Sequence, residues 1–140
     1  MDAAAFFSFG SAFVLIGWVL LLFFPTWKYT EFTVRYVVIL TIGVLYILLL
    51  FNGLSADFDP SAFSSLEGVK SLFGSDLALT AGWFHYLAFD LLAGLFISQK
   101  GIDAGLPRWQ IVLCLPFTFM FGPVGFVLFS IFSLFKKPLS

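Results

Sequence analysis

The stretch that decides the fold is residues 6–24, FFSFGSAFVLIGWVLLLFF, which has no charged residue and stops at Pro25. A helix needs about 20 apolar residues to cross the hydrocarbon core of a bilayer. Three further runs of this kind follow, at residues 34–51, 77–98 and 111–135. The sequence therefore predicts an all-α fold: a four-helix transmembrane bundle forming one domain over residues 1–140, with both termini on one side of the membrane.

The composition supports the same conclusion. Hydrophobic residues make up 61% of the 140-residue chain and charged residues only 11%. A soluble domain of this size cannot hide so much apolar surface from water, whereas a bilayer solvates it. The net charge of -1 gives no indication of a nucleic-acid partner. The expected partner is the lipid bilayer.

The connection between the second and third runs carries a weaker helical pattern. Apolar residues recur there at helical spacing, namely Ala62, Phe63, Leu66, Val69, Leu72 and Phe73. The pattern predicts a short amphipathic helix on the membrane surface. A loop with scattered apolar residues explains the same residues equally well.

The last run contains two prolines, Pro116 and Pro123. Proline removes a backbone donor and disturbs the turn that precedes it. The fourth span is therefore expected to be bent or broken.

His85 and Asp90 are the polar residues that matter most, because both lie inside the third run. At 1.5 Å per residue from Leu77, they lie ~12 Å and ~20 Å along the helix. Ionisable groups at that depth are costly, face the bundle interior and indicate a functional site, although a packing hydrogen bond is the alternative. Their spacing of five residues separates them by about 140° around the helix, which argues against a direct His–Asp pair.

Depth matching between the runs suggests neighbours for both residues. Tyr86, four residues before Asp90, can donate a hydrogen bond to it. Counting from the membrane edges places Thr41 and Thr118 near Asp90, and Tyr46 with residues 122–123 near His85. We therefore take as candidate catalytic residues His85, Asp90 and Tyr86, and as candidate cofactor-binding residues His85, Trp83 and Pro123.

Several other chemistries do not fit the sequence. One histidine and one cysteine cannot build a structural zinc site, and we expect no metal site. A single histidine can be an axial haem ligand, but bis-histidine ligation requires a second chain. No phosphate-binding loop or catalytic-triad order is present. These residues leave the cofactor unknown.

The third and fourth runs also resemble a known family. The matching segments are GWFHYLAFDL at residues 82–91, FMFGPVG at residues 119–125, and PTWKYT at residues 25–30. Gly94, Arg108 and the LCL of residues 113–115 extend the pattern. Order and spacing resemble those of the abscisic-acid-deficient-four-like family, which is linked to neoxanthin formation in plastids.

The resemblance implies a membrane protein of carotenoid metabolism that binds or isomerises an epoxy-carotenoid, so a carotenoid or another pigment is the expected bound ligand. The start of the chain lacks the basic, extended character of a transit peptide. A bacterial inner or intracytoplasmic membrane is therefore the expected location, in preference to a thylakoid or plastid membrane.

A second hypothesis comes from a different class of protein. A small apolar chain also suits a non-catalytic subunit that packs in a larger photosynthetic or respiratory complex, or binds a pigment or haem for it. A homo-oligomer fits the same composition. Isomerising a polyene needs a transient change in bond order, which a proton donor such as a neutral Asp90 or His85 can promote. A structural subunit needs no such group.

Overall fold

A computed structural model describes residues 2–53 and 59–135, and the regular structure in these ranges is helical. Its six α-helices are α1 (Ala3–Phe23), α2 (Thr30–Gly53), α3 (Leu66–Leu72), α4 (Asp76–Asp103), α5 (Arg108–Phe121) and α6 (Pro123–Phe135). The all-α prediction is confirmed for this part of the chain. The prediction of four helices is wrong.

Three of the helices are long and apolar enough to cross a membrane. These are α1, α2 and α4, with 21, 24 and 28 residues. Asp2 begins α1 by accepting a hydrogen bond from Ala4 N–H, and Ser75 begins α4 in the same way through Ala78 N–H. Near its start, α2 widens into a π-helical stretch, Thr33–Ile39. Three of the predicted spans therefore have a counterpart in the structure.

The fourth predicted span is a helical hairpin. Its two helices, α5 and α6, have 14 and 13 residues, or about 20 Å each, against a hydrocarbon core of about 30 Å. The rings of Trp109 and Phe132 lie 5.8 Å apart between centroids, whereas a continuous helix separates such positions by about 35 Å. The chain thus enters the bundle along α5, reverses at Gly122 and returns along α6.

The reversal changes the topology of the chain. Gly10 of α1 packs against Phe84 of α4, and Gly17 packs against Leu91. The contacts advance in the same direction along both helices, which shows that α1 and α4 run parallel. We call the membrane side on which α1 begins the N side and the opposite side the far side. Helix α4 ends on the far side, and the hairpin both begins and ends there. Ala3 and Phe135, the ends of the first and last helices, therefore lie on opposite sides, whereas the sequence predicts both termini on one side; the termini themselves lie outside the described residues.

Small residues allow the parallel helices to approach closely. A Cβ atom on Gly17 would meet the Leu91 side chain at 2.5 Å, and one on Gly94 would meet the Trp18 indole at 2.7 Å. Within membranes, such close packing replaces the hydrophobic driving force that water supplies. The completely buried side chains of Phe84, Leu91 and Leu115 fill the core between α1, α4 and α5.

The connection between α2 and α4 contains the predicted short helix. Residues 54–58 lie outside the described part, and Pro60–Ser64 forms a 3₁₀ turn before α3. Asp59 caps this turn, and its hydrogen bonds with Ser61 hold the pKa of the Asp59 carboxyl below its ordinary value. Phe73, at the end of α3, packs against Gly82 of α4. The short helix is thus placed over the N-side half of α4.

Candidate functional site

Asp90 is a buried carboxyl at the middle of the longest helix. It is the fifteenth of the 28 residues of α4, about 20 Å from either end of the helix. Its side chain is 9% exposed, and its Oδ2 atom is buried without a hydrogen-bond partner. A polar atom left unpaired in such surroundings is costly. Asp90 is therefore the strongest candidate for a functional group in the described structure.

The tip of the α5–α6 hairpin lies against this carboxyl. Gly122 joins the two helices with a φ of 38°, and a Cβ atom there would collide with Asp90 Oδ1. Its N–H donates to the carbonyl of Thr118 over 2.8 Å. Non-helical backbone is tolerated at membrane depth only where protein surrounds it, and Gly122 is buried.

Tyr86 links the same two elements. Its hydroxyl donates to the carbonyl oxygen of Met120 over 2.7 Å, and the phenol is also close enough to the Asp90 carboxyl to interact with it. The bond satisfies a carbonyl near the end of α5 that the helix itself leaves without a donor. Tyr86 thus holds the hairpin tip beside Asp90. Asp90, Tyr86 and the tip together form one candidate site.

His85 lies on a different face of α4. Its ring stacks on Phe89 at 4.6 Å and lies 5.8 Å from the ring of Tyr46 on α2. The residue is exposed on the outside of the bundle, at the edge of a 270 Å³ cavity that Leu50 and Phe73 also line. The predicted proximity of Tyr46 is confirmed, whereas the prediction that His85 faces the interior is wrong.

Trp83 lies between α1 and the Tyr86 face of α4. Its indole N–H donates to Ser11 Oγ over 2.9 Å, and its ring stacks on Tyr86 at 5.2 Å and is tilted against Phe7 at 5.6 Å. The three aromatic rings form a row beside an apolar groove of 450 Å³.

Comparison with known proteins assigns the family. A family model described as ABA DEFICIENT 4-like matches residues 5–129. The chain belongs to the ABA DEFICIENT 4-like family. A relative from Arabidopsis thaliana, "Protein ABA DEFICIENT 4, chloroplastic", is 31% identical over 136 residues, which cover 89% of this chain. No solved structure matches.

This member of the ABA DEFICIENT 4-like family matches only part of its Arabidopsis relative. The chain spans 59% of the relative's length. The relative is named as chloroplastic, so the comparison gives no support to the bacterial membrane expected from the sequence. The apolar helices support a membrane protein.

The structure divides the predicted site residues of this family member into two groups. Tyr86 and Asp90 lie together at the hairpin tip, with Trp83 stacked on Tyr86. Pro123 directly follows Gly122 and therefore lies at the hairpin tip. The predicted contact between Pro123 and His85 is wrong. The angular separation of about 140° around α4 correctly separates His85 from Asp90. Counting residues from the membrane edges, however, placed the hairpin tip at His85, about one helical turn from its position beside Asp90.

Two contacts of the site were not predicted from the sequence, which placed residues 122–123 near His85. The carbonyl of Met120 accepts the Tyr86 hydrogen bond, and Gly122 gives Asp90 its close neighbour. The signal for Gly122 was present, because a Gly-Pro pair within an apolar run marks a break. Among the described residues, no three histidine, cysteine or acidic side chains are grouped as a metal site requires.

Proposed function

We propose that this protein binds a carotenoid within the membrane and isomerises it, with Asp90 as the proton donor. The observation that carries the proposal is the unpaired, buried Oδ2 of Asp90 at mid-membrane depth. A carotenoid dissolves in the bilayer, so it reaches the depth of Asp90 without entering water. The family resemblance, with its link to neoxanthin formation, supports a carotenoid over other apolar ligands.

The chemistry needs only one carboxyl. In its neutral form, Asp90 donates its proton to the polyene or to an epoxide oxygen, and a π bond or a C–O bond breaks. A proton then leaves a neighbouring carbon of the ligand and returns to the carboxylate. Substrate and product are isomers, so no oxidant, reductant or metal is consumed.

The other candidate residues have supporting roles in this proposal. Tyr86 positions Asp90 relative to the hairpin tip through its bond to Met120. Trp83 presents a flat face to the ligand and is fixed by Ser11. Pro123 holds the start of α6 at the tip, and His85 contacts pigment or lipid from the outside of α4.

The test compares wild type, Asp90→Asn and Ser98→Ala in a host that makes epoxy-carotenoids. Ser98 is also buried in α4 but lies about 12 Å further along the helix, so it controls for loss of a buried polar group. We expect Asp90→Asn to slow isomer formation by about 10²-fold or more, with protein yield and helicity unchanged. An isomer profile that is the same with wild type as with an empty vector would contradict the proposal.

One observation favours the alternative of a non-catalytic subunit. His85 faces outward on α4, where a haem or pigment held by a neighbouring chain could reach its imidazole. In that case the purified complex shows a haem or chlorophyll band that His85→Leu removes, while Asp90→Asn leaves the spectrum unchanged. The visible spectrum therefore separates the two functions.

A further inference from the structure

An apolar groove runs along the N-side half of α4, between this helix and α1. Its walls are Phe7, Phe73, Leu79, Thr80, Gly82, Trp83 and Tyr86, and its volume is 450 Å³. Phe7, Leu79 and Trp83 are exposed, so the groove opens sideways toward lipid. Gly82 keeps its floor low, because any side chain there would displace Phe73.

The polarity of the groove changes along its length. Toward the N side it continues into a 300 Å³ hollow that shares Phe7, Leu79 and Thr80 and is also lined by Ser8 and Asp76. Asp76 is the first residue of α4, so this end lies at the membrane surface. The groove therefore offers hydrogen-bonding groups at the surface and aromatic walls below it.

The inner end of the groove leads to the candidate site. Tyr86 is both a wall of the groove and the side chain whose hydroxyl reaches the hairpin tip. From Asp76 to Tyr86 the helix rises about 15 Å, which is roughly half the thickness of the hydrocarbon core. A rod-shaped ligand lying in the groove thus has its surface end at Asp76 and its deeper end against Tyr86, one helical turn before Asp90.

We propose that this groove is the binding site of a flat, rod-shaped polyene whose hydroxylated end group lies at the Ser8, Asp76 and Thr80 end. The inference rests on the proposed function and adds its ligand site and orientation. The row of Phe7, Trp83 and Tyr86 rings matches a planar conjugated chain. The polar end favours a hydroxylated ring over a hydrocarbon ring or a lipid acyl chain.

The experiment blocks the groove from its lipid-facing side. Leu79→Trp adds an indole to the wall, and Leu92→Trp adds the same group on an exposed part of α4 outside the groove. The full chain in phosphatidylcholine nanodiscs is titrated with zeaxanthin, a dihydroxylated carotenoid, and with β-carotene, which has no hydroxyl group. Bound pigment is measured by absorption after size-exclusion chromatography.

We expect Leu79→Trp to weaken zeaxanthin binding by about tenfold or more, because the added ring occupies ligand volume. Leu92→Trp should bind as wild type does, and wild type should prefer zeaxanthin to β-carotene. Equal zeaxanthin binding by the two tryptophan variants would contradict the assignment of the groove as the ligand site. Absence of bound pigment on wild type, with only lipid in the groove, would contradict it as well. If Asp90→Asn still blocks isomerisation in that case, the proposed function stands without the groove.

Discussion

Gly122 is the residue on which the candidate site depends most directly. Its φ of 38° lies in a region that side-chain-bearing residues rarely adopt, and the space beside its Cα is filled by Asp90 Oδ1. Both constraints act at one position, so a residue other than glycine strains the backbone and also displaces the carboxyl. The hairpin tip and the orientation of Asp90 are thus determined together.

Gly122→Ala should lower the free energy of unfolding by about 2 kcal/mol, since a strained backbone residue costs of order 1–3 kcal/mol. Gly43→Ala is the matched control, because Gly43 is helical and a Cβ atom there meets nothing within 4 Å. The control should be neutral or slightly stabilising. Thermal unfolding in detergent measures both, and equal midpoints for the two variants would contradict the role assigned to Gly122.

At the scale of elements, the hairpin is held by close contact between its two helices. A Cβ atom on Gly125 of α6 would collide with Thr118 Oγ1 and lie 2.6 Å from the carbonyl of Cys114. Thr118 donates its own hydroxyl to that carbonyl over 2.9 Å, so these two polar groups bond to each other where they face α6. Two half-length helices therefore pack as an antiparallel pair inside the bundle.

The hairpin predicts a specific cross-link. With Cys114→Ala as background, Trp109→Cys and Phe132→Cys should be joined in high yield by a short bifunctional thiol reagent, because their native rings are 5.8 Å apart. Trp109→Cys with Met120→Cys is the control pair, separated by about 16 Å along α5. Mass spectrometry of the digested chain detects the link. Similar yields for the two pairs would argue for a continuous fourth span.

At the scale of the whole molecule, residues 2–53 and 59–135 form three helices long and apolar enough to span a membrane and one hairpin inserted from the far side. Arg108, at the start of α5, donates to the carbonyl of Leu22 at the end of α1 over 3.3 Å, which ties the hairpin base to the far-side end of a span. Many large apolar side chains remain exposed on the outside, Leu15, Ile47 and Phe89 among them. Lipid solvates these side chains, so their exposure carries no cost in a bilayer.

The topology can be tested by labelling single cysteines from one side of sealed vesicles, again on a Cys114→Ala background. We expect Leu134→Cys to react from the same side as Ala104→Cys, which lies in the turn after α4. Ala4→Cys, near the start of α1, should react only from the opposite side. Labelling of Leu134→Cys together with Ala4→Cys would restore the four-span bundle and remove the hairpin.

The candidate site could be predicted from the sequence only in part. Asp90 is predictable because an ionisable residue within an apolar run is energetically unfavourable unless it serves a function. Tyr86 is predictable because it lies one helical turn before Asp90, and that spacing follows from the sequence alone. The outward position of His85 was not predictable, because depth along a helix does not determine which face meets lipid. Which face of α4 meets lipid depends on where α2 packs against it. The surface of α2 is almost uniformly apolar, so its sequence does not determine that position.

The sequence by itself determined the helical class, the membrane environment, the depth of Asp90 and the family pattern, since each depends on local composition and on 1.5 Å per residue. Only the tertiary structure decided that residues 111–135 turn back on themselves. An apolar run long enough to span has the same hydropathy whether it is straight or folded in two. The choice was made by one positive φ at Gly122, by the close approach of Gly125 to Thr118, and by a buried carboxyl against which the tip packs.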